Sequence, residues 1–331
     1  MLIVLTTLLF SDIILLKYFV YAVRLLKGRF CVIYTVTFNP AVDYVVHTAR
    51  LVHGCVNRSA YEEMYFGGKG LNVSAVLAEL GVSSRALGFI AGFTGDAIEK
   101  GVREMGVDTD FIRLPEGNSR INVKIKADAE TEINGQGPRI SPADLDELFD
   151  KIHKIRSGDT LVLAGSIPSS LPSDIYERIM KSLPDRGVRT IVDASGELLL
   201  NVLKYRPYLI KPNHVELGEI FRTELRNENE IIRHASLLRE MGARNVLVSM
   251  AENGAILLDE NGGIHKCSAC RGKVRNSVGA GDSMLAGYIA GLLEGDCEHA
   301  LKLGTACGGA TAFSDGLAKK YYIFELLEQI K

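Results

Sequence analysis

Residues 276–293 read NSVGAGDSMLAGYIAGLL. Gly279, Ala280 and Gly281 stand where a helix-like run, Met284 to Leu293, begins. Backbone N–H groups at such a start stay free to face an anion, and the helix dipole favours negative charge there. The stretch therefore reads as a seat for a phosphate or another oxyanion. Asp282 lies in the same turn, placed to take a proton from a hydroxyl attacking phosphorus. A plain helix N-cap is the competing reading of that aspartate.

Outward from this turn, the chain from Ile33 alternates between two patterns. Apolar runs of strand length (33–38, 85–91, 160–164, 190–193, 208–210 and 245–249) are separated by segments with helical periodicity. Such repetition predicts an α/β fold with a mainly parallel sheet covered on both faces. Ser141, with Pro142 next and Asp144 third, marks one helix start, and Gly81 closes the helix that begins near Gly70. Two stretches, about 43–66 and 118–134, are strand-like without intervening helices. They predict a small β-sheet lid built from two separate segments. Its second face is partly apolar, which favours lid-to-lid pairing in a homodimer.

Composition narrows the function classes. The 331 residues carry 38 Lys and Arg against 40 Asp and Glu, so no global field draws the chain to nucleic acid. With 47% hydrophobic and 24% charged residues it is globular. The six cysteines are too few for a disulfide scaffold, so reduced thiols in a cytoplasm are expected. Cys267 and Cys270 form a C-x-x-C beside His265, but no second ligand pair accompanies them, and packed thiols are the preferred reading.

Residues 1–31 read as an N-terminal extension ahead of a domain spanning 32–331. No uninterrupted apolar stretch there reaches the roughly 18 residues of a membrane span, and the basic residues follow the apolar run instead of preceding it. Val32 opens the first clean strand, and an alternative start codon translates in silico as valine. The expectation is a start-site artefact, with an extra surface helix and a membrane contact as alternatives.

A second glycine-rich turn, Gly67-Gly68-Lys69-Gly70-Leu71-Asn72-Val73, opens another helix and lets backbone approach a ligand closely. It meets neither the Walker pattern G-x-x-x-x-G-K-[ST] nor the dinucleotide pattern G-x-G-x-x-G, whose last glycine is replaced by Val73. A tight turn explains the glycines but not the lysine and asparagine among them.

With both turns in view, the chain from about Ile33 resembles the ribokinase-like sugar kinases of the phosphofructokinase B family. The Gly67–Asn72 loop resembles that family's first signature and Asn276–Asp282 its second. The opening T-V-T-F-N-P-A-V-D (35–43) and the segments R-I-N-V-K (120–124) and T-E-I-N-G-Q-G-P (131–138) point to its ketohexose-phosphate branch. The resemblance implies a three-layer α/β/α sandwich with a β-sheet lid, and ATP and Mg2+ as cofactors. It implies Asp282 as general base, with Gly279, Ala280 and Gly281 stabilising the transferring phosphoryl group. Asp43 and Asn72 would hold sugar hydroxyls, and Gly68 and Lys69 would line the same pocket. Lys211, Ser249, Gly254, Gly281, Ser314 and Gly316 fall where the family builds its nucleotide pocket. Asn213 and Glu216 match an N-x-x-E that organises magnesium through water, although the same spacing reads as a capping box. The Ala251-Glu252-Asn253 stretch departs from the small, acidic turn of the family.

Charge selects the sugar. Residues two apart on a strand share a face, so Arg120, Asn122 and Lys124 would point together into the cleft. Two cations and an amide on one face suit a sugar that already carries a phosphate; a solvated lid strand is the bland alternative. Among such sugars the resemblance, through the N-G-Q-G-P run (134–138), implies phosphorylation of fructose 1-phosphate to fructose 1,6-bisphosphate. Tagatose 6-phosphate is the nearest alternative substrate, and a sugar-phosphate sensor without turnover is the alternative from another class.

Overall fold

A computed structural model describes residues 31–183 and 187–330. Of the extension expected at 1–31, residues 1–30 lie outside those described. No described helix is long and apolar enough to cross a membrane.

The strands are β1 (Ile33–Thr37), β2 (Ala41–His47), β3 (Tyr61–Gly67), β4 (Ser84–Ala91), β5 (Asp108–Thr109), β6 (Ile112–Leu114), β7 (Arg120–Lys126), β8 (Glu130–Asn134), β9 (Thr160–Ala164), β10 (Arg189–Asp193), β11 (Leu209–Ile210), β12 (Asn245–Ser249), β13 (Ala255–Leu258) and β14 (Ile264–Cys267). The main sheet runs β14-β13-β12-β11-β10-β9-β1-β4-β5, with β6 also on β4. Its pairs are parallel except β12–β13 and β13–β14, which form an antiparallel edge. A strand covered on both faces has no use for alternation, and β9, TLVLA, is buried at every position.

Period-two geometry divides those side chains between two cores. Leu161 and Leu163 join one core, packed with Leu148, Ile175, Leu199, Leu217 and Leu238 from helices on one face. Val162 and Ala164 join the other, with Val73, Val76, Leu285, Ala306 and Ile323. The expected α/β fold, with a mainly parallel sheet between two helical layers, is the one observed.

On the second face, helices Ala280–Glu294 and Cys297–Ala312 approach backbone to backbone. A Cβ on Gly291 would lie 2.5 Å from Ala300 Cα, and one on Gly304 would lie 2.8 Å from Met284 O. The small residues that make this pattern look bland in sequence let the first helix sink until its N-terminal turn meets the sheet's carboxyl edge.

A separate four-stranded sheet, β3-β2-β7-β8, is built from the two segments that broke the alternation. Its β2–β7 pair is parallel and the others antiparallel. Val42 and Phe66 root it against Leu71, Ile98 and Val102. Register aligns Met64, Tyr44, Val123 and Ile133 in one row across it, and Met64 and Ile133 at the row's ends are 54% and 61% exposed.

Candidate active site

Parallel strands end together, and ligands of open α/β sheets collect at that carboxyl edge. Here the edge, the two glycine turns and the small sheet enclose a cavity of about 860 Å3. A second cavity of about 450 Å3 shares Gly68, Lys69 and Arg120 with it, and adds Asn39, Ser166 and Ser195.

Asp282 stands at the third position of helix Ala280–Glu294 and is 6% exposed. Gly279 caps that helix in the left-handed conformation (φ 80°), and no side chain makes a cap hydrogen bond, so Asp282 is not the N-cap. A Cβ on Gly279 would also lie 2.9 Å from Leu317 Cδ2. Asn72, one turn into helix Lys69–Glu79, donates from Nδ2 to Asp282 Oδ2 at 2.8 Å. Burial, followed by the nearby Asp193 carboxylate, pushes the Asp282 pKa up to about 6, against the opposing pull of Asn72, Lys211 and Lys69. A carboxyl group in this state exchanges a proton near neutral pH.

Asp193 ends β10 and is 2% exposed. Lys211 Nζ lies 3.3 Å from its Oδ2, and Lys69 Nζ lies 3.5 Å from its Oδ1. A buried carboxylate thus holds two ammonium groups at the cleft floor. Burial alone would lower the Lys69 pKa, but Asp193, Asp282 and Glu216 outweigh it and leave that pKa raised. A Cβ on Gly281 would lie 3.2 Å from Lys211 Nζ, so this cation stands directly against the amide-lined turn. Sequence reading placed Lys211 here and passed over Asp193. The available signal was a charged residue at the carboxyl end of an otherwise apolar strand.

The small sheet supplies the facing wall. Asn122 Nδ2 donates to Asp43 Oδ1 at 2.8 Å, and the two are register partners on β7 and β2. Arg120 Nε donates to Asn39 O at 3.1 Å, which leaves the terminal guanidinium nitrogens outside that bond. Burial lowers the Arg120 pKa, opposed by Asp43. Lys124 shares the face of Arg120 and Asn122 but does not line either cavity. Its ammonium sits 3.3 Å from Asp43 Oδ2 and 3.9 Å from Glu132 Oε1.

Asn213 and Glu216 form the capping box of helix His214–Ile220: Glu216 N donates to Asn213 Oδ1, and Asn213 N to Glu216 Oε2, both at 2.8 Å. Both residues also line the cleft. Ser249 and Gly254 line its far end, where Val215, Val274 and Val278 stand 56%, 64% and 51% exposed. Such exposed apolar side chains around a cleft suit the faces of a planar ligand. Ser314 and Gly316 do not line the cavity. The Ser314 hydroxyl donates back to Ala310 O at 2.7 Å, and Gly316 stands near Tyr65 of the small sheet.

Among the described residues, no group of three His, Cys, Asp or Glu ligand atoms converges within this cleft. With one Glu216 oxygen taken by the cap, the residues present suit a hydrated cation held through water and not one ligated directly.

The family of pfkB carbohydrate kinases matches residues 36–321. A 1-phosphofructokinase of Bacillus subtilis is 46% identical over 300 residues, covering 90% of this chain and 98% of its own. A D-tagatose-1-phosphate kinase of Bacillus licheniformis is 40% identical, covering 90% of this chain and 98% of its own. The crystal structure of Escherichia coli phosphofructokinase-2 in complex with substrates and products superposes with a TM-score of 0.84 at 25% identity, covering 90% of this chain and 99% of that one.

Proposed function

Because the chain belongs to the pfkB family of carbohydrate kinases, we propose that it transfers the terminal phosphoryl group of ATP to the C6 hydroxyl of fructose 1-phosphate, giving fructose 1,6-bisphosphate and ADP. The observation that carries this reading is the placement of Asp282. Its carboxyl group is buried at the amide-lined turn, beside Lys211, in a cleft that opens past Lys69 into a second pocket holding Arg120.

The chemistry follows from those positions. Asp282 takes the proton of the C6 hydroxyl as its oxygen attacks the γ-phosphorus, and the bond to the β,γ-bridging oxygen breaks to release ADP. The Gly279 and Gly281 N–H groups and the Lys211 ammonium face the charge on the migrating group, while the Ala280 amide donates to Ser277 O. Asn72 fixes the carboxylate, and Asp43 with Asn122 meets the sugar hydroxyls. The C1 phosphate occupies the smaller cavity with Arg120, Lys69 and Ser166. Adenine lies among Val215, Val274 and Val278. Magnesium, when bound with the nucleotide, supplies charge neutralisation on its phosphate oxygens. Glu216 and Asn213 would hold it through water.

The lid role of the small sheet belongs to the same reading, since closure would exclude water from the transfer. Its apolar row through Tyr44 and Val123 fits pairing with a second copy in a homodimer. The six free cysteines accord with a cytoplasmic setting.

The tagatose relative alters the runner-up. The sequence pointed to tagatose 6-phosphate, whereas the Bacillus licheniformis protein is a D-tagatose-1-phosphate kinase. Fructose and tagatose 1-phosphates present the same phosphate end and the same C6 hydroxyl, and differ only in configuration at C4. A coupled ADP assay comparing fructose 1-phosphate, tagatose 1-phosphate, tagatose 6-phosphate and fructose 6-phosphate by kcat/KM tests the proposal. Fructose 1-phosphate is expected to lead. A lead for tagatose 1-phosphate would replace the sugar and keep the chemistry. Binding of sugar phosphate with no ADP formed would point to a sensor.

A further inference from the structure

The antiparallel edge of the main sheet carries a second cluster of reactive side chains, none of which lines the cleft. β13 and β14 are joined by the turn Asp259-Glu260-Asn261-Gly262-Gly263. Asp259 Oδ1 accepts hydrogen bonds from the Asn261 and Gly263 amides, both at 2.8 Å. That fixes the carboxylate and turns Oδ2 toward His265 Nε2, 2.7 Å away. His265 and Cys267 share one face of β14, and this face packs on helix Cys297–Ala312, whose first residue brings its thiol to the pair. The ligand atoms of Asp259, His265 and Cys297 all lie within 4.8 Å of one another.

Two further features belong to the cluster. A Cβ on Gly263 would come 2.4 Å from Asp259 Oδ2 and 2.9 Å from His265 Nε2. Gly263 does not have a positive φ, so its lack of a side chain serves these two atoms and not the backbone. Tyr288 is fully buried and belongs to the core cluster against which Cys297 packs. An Asp–His hydrogen bond alone does not account for the thiol beside it.

We infer that Asp259, His265 and Cys297 form a binding site for a zinc-type divalent cation, with water in the fourth position. One oxygen, one imidazole nitrogen and one sulfur make a donor set of borderline softness, which selects zinc over magnesium or calcium. Carboxylate and thiolate together balance the double positive charge. The turn amides on Oδ1 orient the carboxylate from behind, as outer partners do in metal sites. On binding, the Cys297 thiol loses its proton to solvent and the imidazole proton moves from Nε2 to Nδ1, so one proton is released per ion. The ion would pin the β13–β14 hairpin to the start of helix Cys297–Ala312.

The test uses the full chain stripped with a chelator and dialysed. Competition with a chromophoric zinc indicator is expected to give one zinc per chain, and cobalt(II) to give the near-ultraviolet charge-transfer band of a thiolate ligand. C297S should abolish that band, C297S and H265Q should each weaken zinc binding at least 100-fold, and C267A should do neither. Zinc should raise the melting temperature of the parent and not that of H265Q. If C297S fails to fold, H265Q and the cobalt spectrum of the parent decide alone. Parent protein that takes up no zinc, a cobalt complex without the thiolate band, or zinc binding in H265Q equal to the parent would overturn the inference. Every readout is metal binding, so the result is independent of the proposed kinase reaction.

Discussion

Asp282 is rooted in the helical wall of the cleft, whereas Asp43 stands on the small sheet opposite, and both line the same cavity. Asp282 has lost almost all contact with water, and burial with a carboxylate neighbour brings its pKa to about 6. Asp43 keeps a side chain 21% exposed and is held between an amide donor and an ammonium at 2.8 and 3.3 Å. In the proposed reaction one residue type thus serves two ends: a group poised to move a proton, and a fixed acceptor that orients hydroxyls.

Removing the proton acceptor gives the largest expected effect. D282N keeps the shape of the side chain and removes the base, so kcat should fall about 10²- to 10⁴-fold. The sign of the stability change separates this from damage to the fold. The folded-state pKa of Asp282 is raised, so its charged form costs stability above about pH 6, and that cost disappears below the ordinary carboxylate value. D282N should therefore melt at or above the parent temperature at pH 8. In the parent, kcat/KM should decline below about pH 6 as the carboxylate takes a proton before substrate arrives. A flat profile down to pH 5 would remove the base from the mechanism.

Next in size is the facing wall. Charge-assisted hydrogen bonds to a phosphate contribute roughly 1.5–3 kcal/mol, so R120A should raise KM for the sugar phosphate about 10- to 100-fold. Its effect on kcat should be much smaller, because the existing phosphate is held alike in ground and transition states. A fall in kcat with KM unchanged would move Arg120 to the transferring group.

Glu216 tests a residue in two roles. E216Q keeps an oxygen that can accept from Asn213 N, so the capping box and melting temperature should stay within about 1 kcal/mol of the parent. The lost charge should raise the magnesium concentration for half-maximal rate by several-fold to tenfold. An unchanged magnesium curve would leave Glu216 as a cap alone.

The contrast between the walls also explains what could be read from the sequence. The main sheet was legible because its strands are buried on both sides and appear as uninterrupted apolar runs. The Gly279–Asp282 turn was legible because small residues at a helix start let an anion approach the backbone closely. Asp193 was hidden because a strand's last residue reads as the edge of a loop; its significance lies in Lys69 and Lys211, which are 124 and 18 positions away. Ser314 sits just past a helix end, where its hydroxyl bonds back to Ala310, a local competition that spacing does not reveal. Period two assigns a strand residue to a face but gives no depth along it, and Lys124 stands on the expected face outside both cavities.

Lys124 therefore carries the smallest and most discriminating prediction. Read from sequence it equals Arg120, a second cation on one face, and its loss should then cost the same 10- to 100-fold in KM. In the fold it lies four residues further along β7 than Arg120, beside Val45 on β2, with its ammonium between Asp43 and Glu132. There it balances the charge of Asp43 without lining the smaller cavity. A partly screened pair of this kind contributes about 0.2–1 kcal/mol, so K124M should change KM less than about fivefold. The change should shrink in high salt, because an unbalanced Asp43 acts through its field while its position is still held by Asn122. A KM effect as large as that of R120A, insensitive to salt, would mean that lid closure carries Lys124 onto the sugar phosphate.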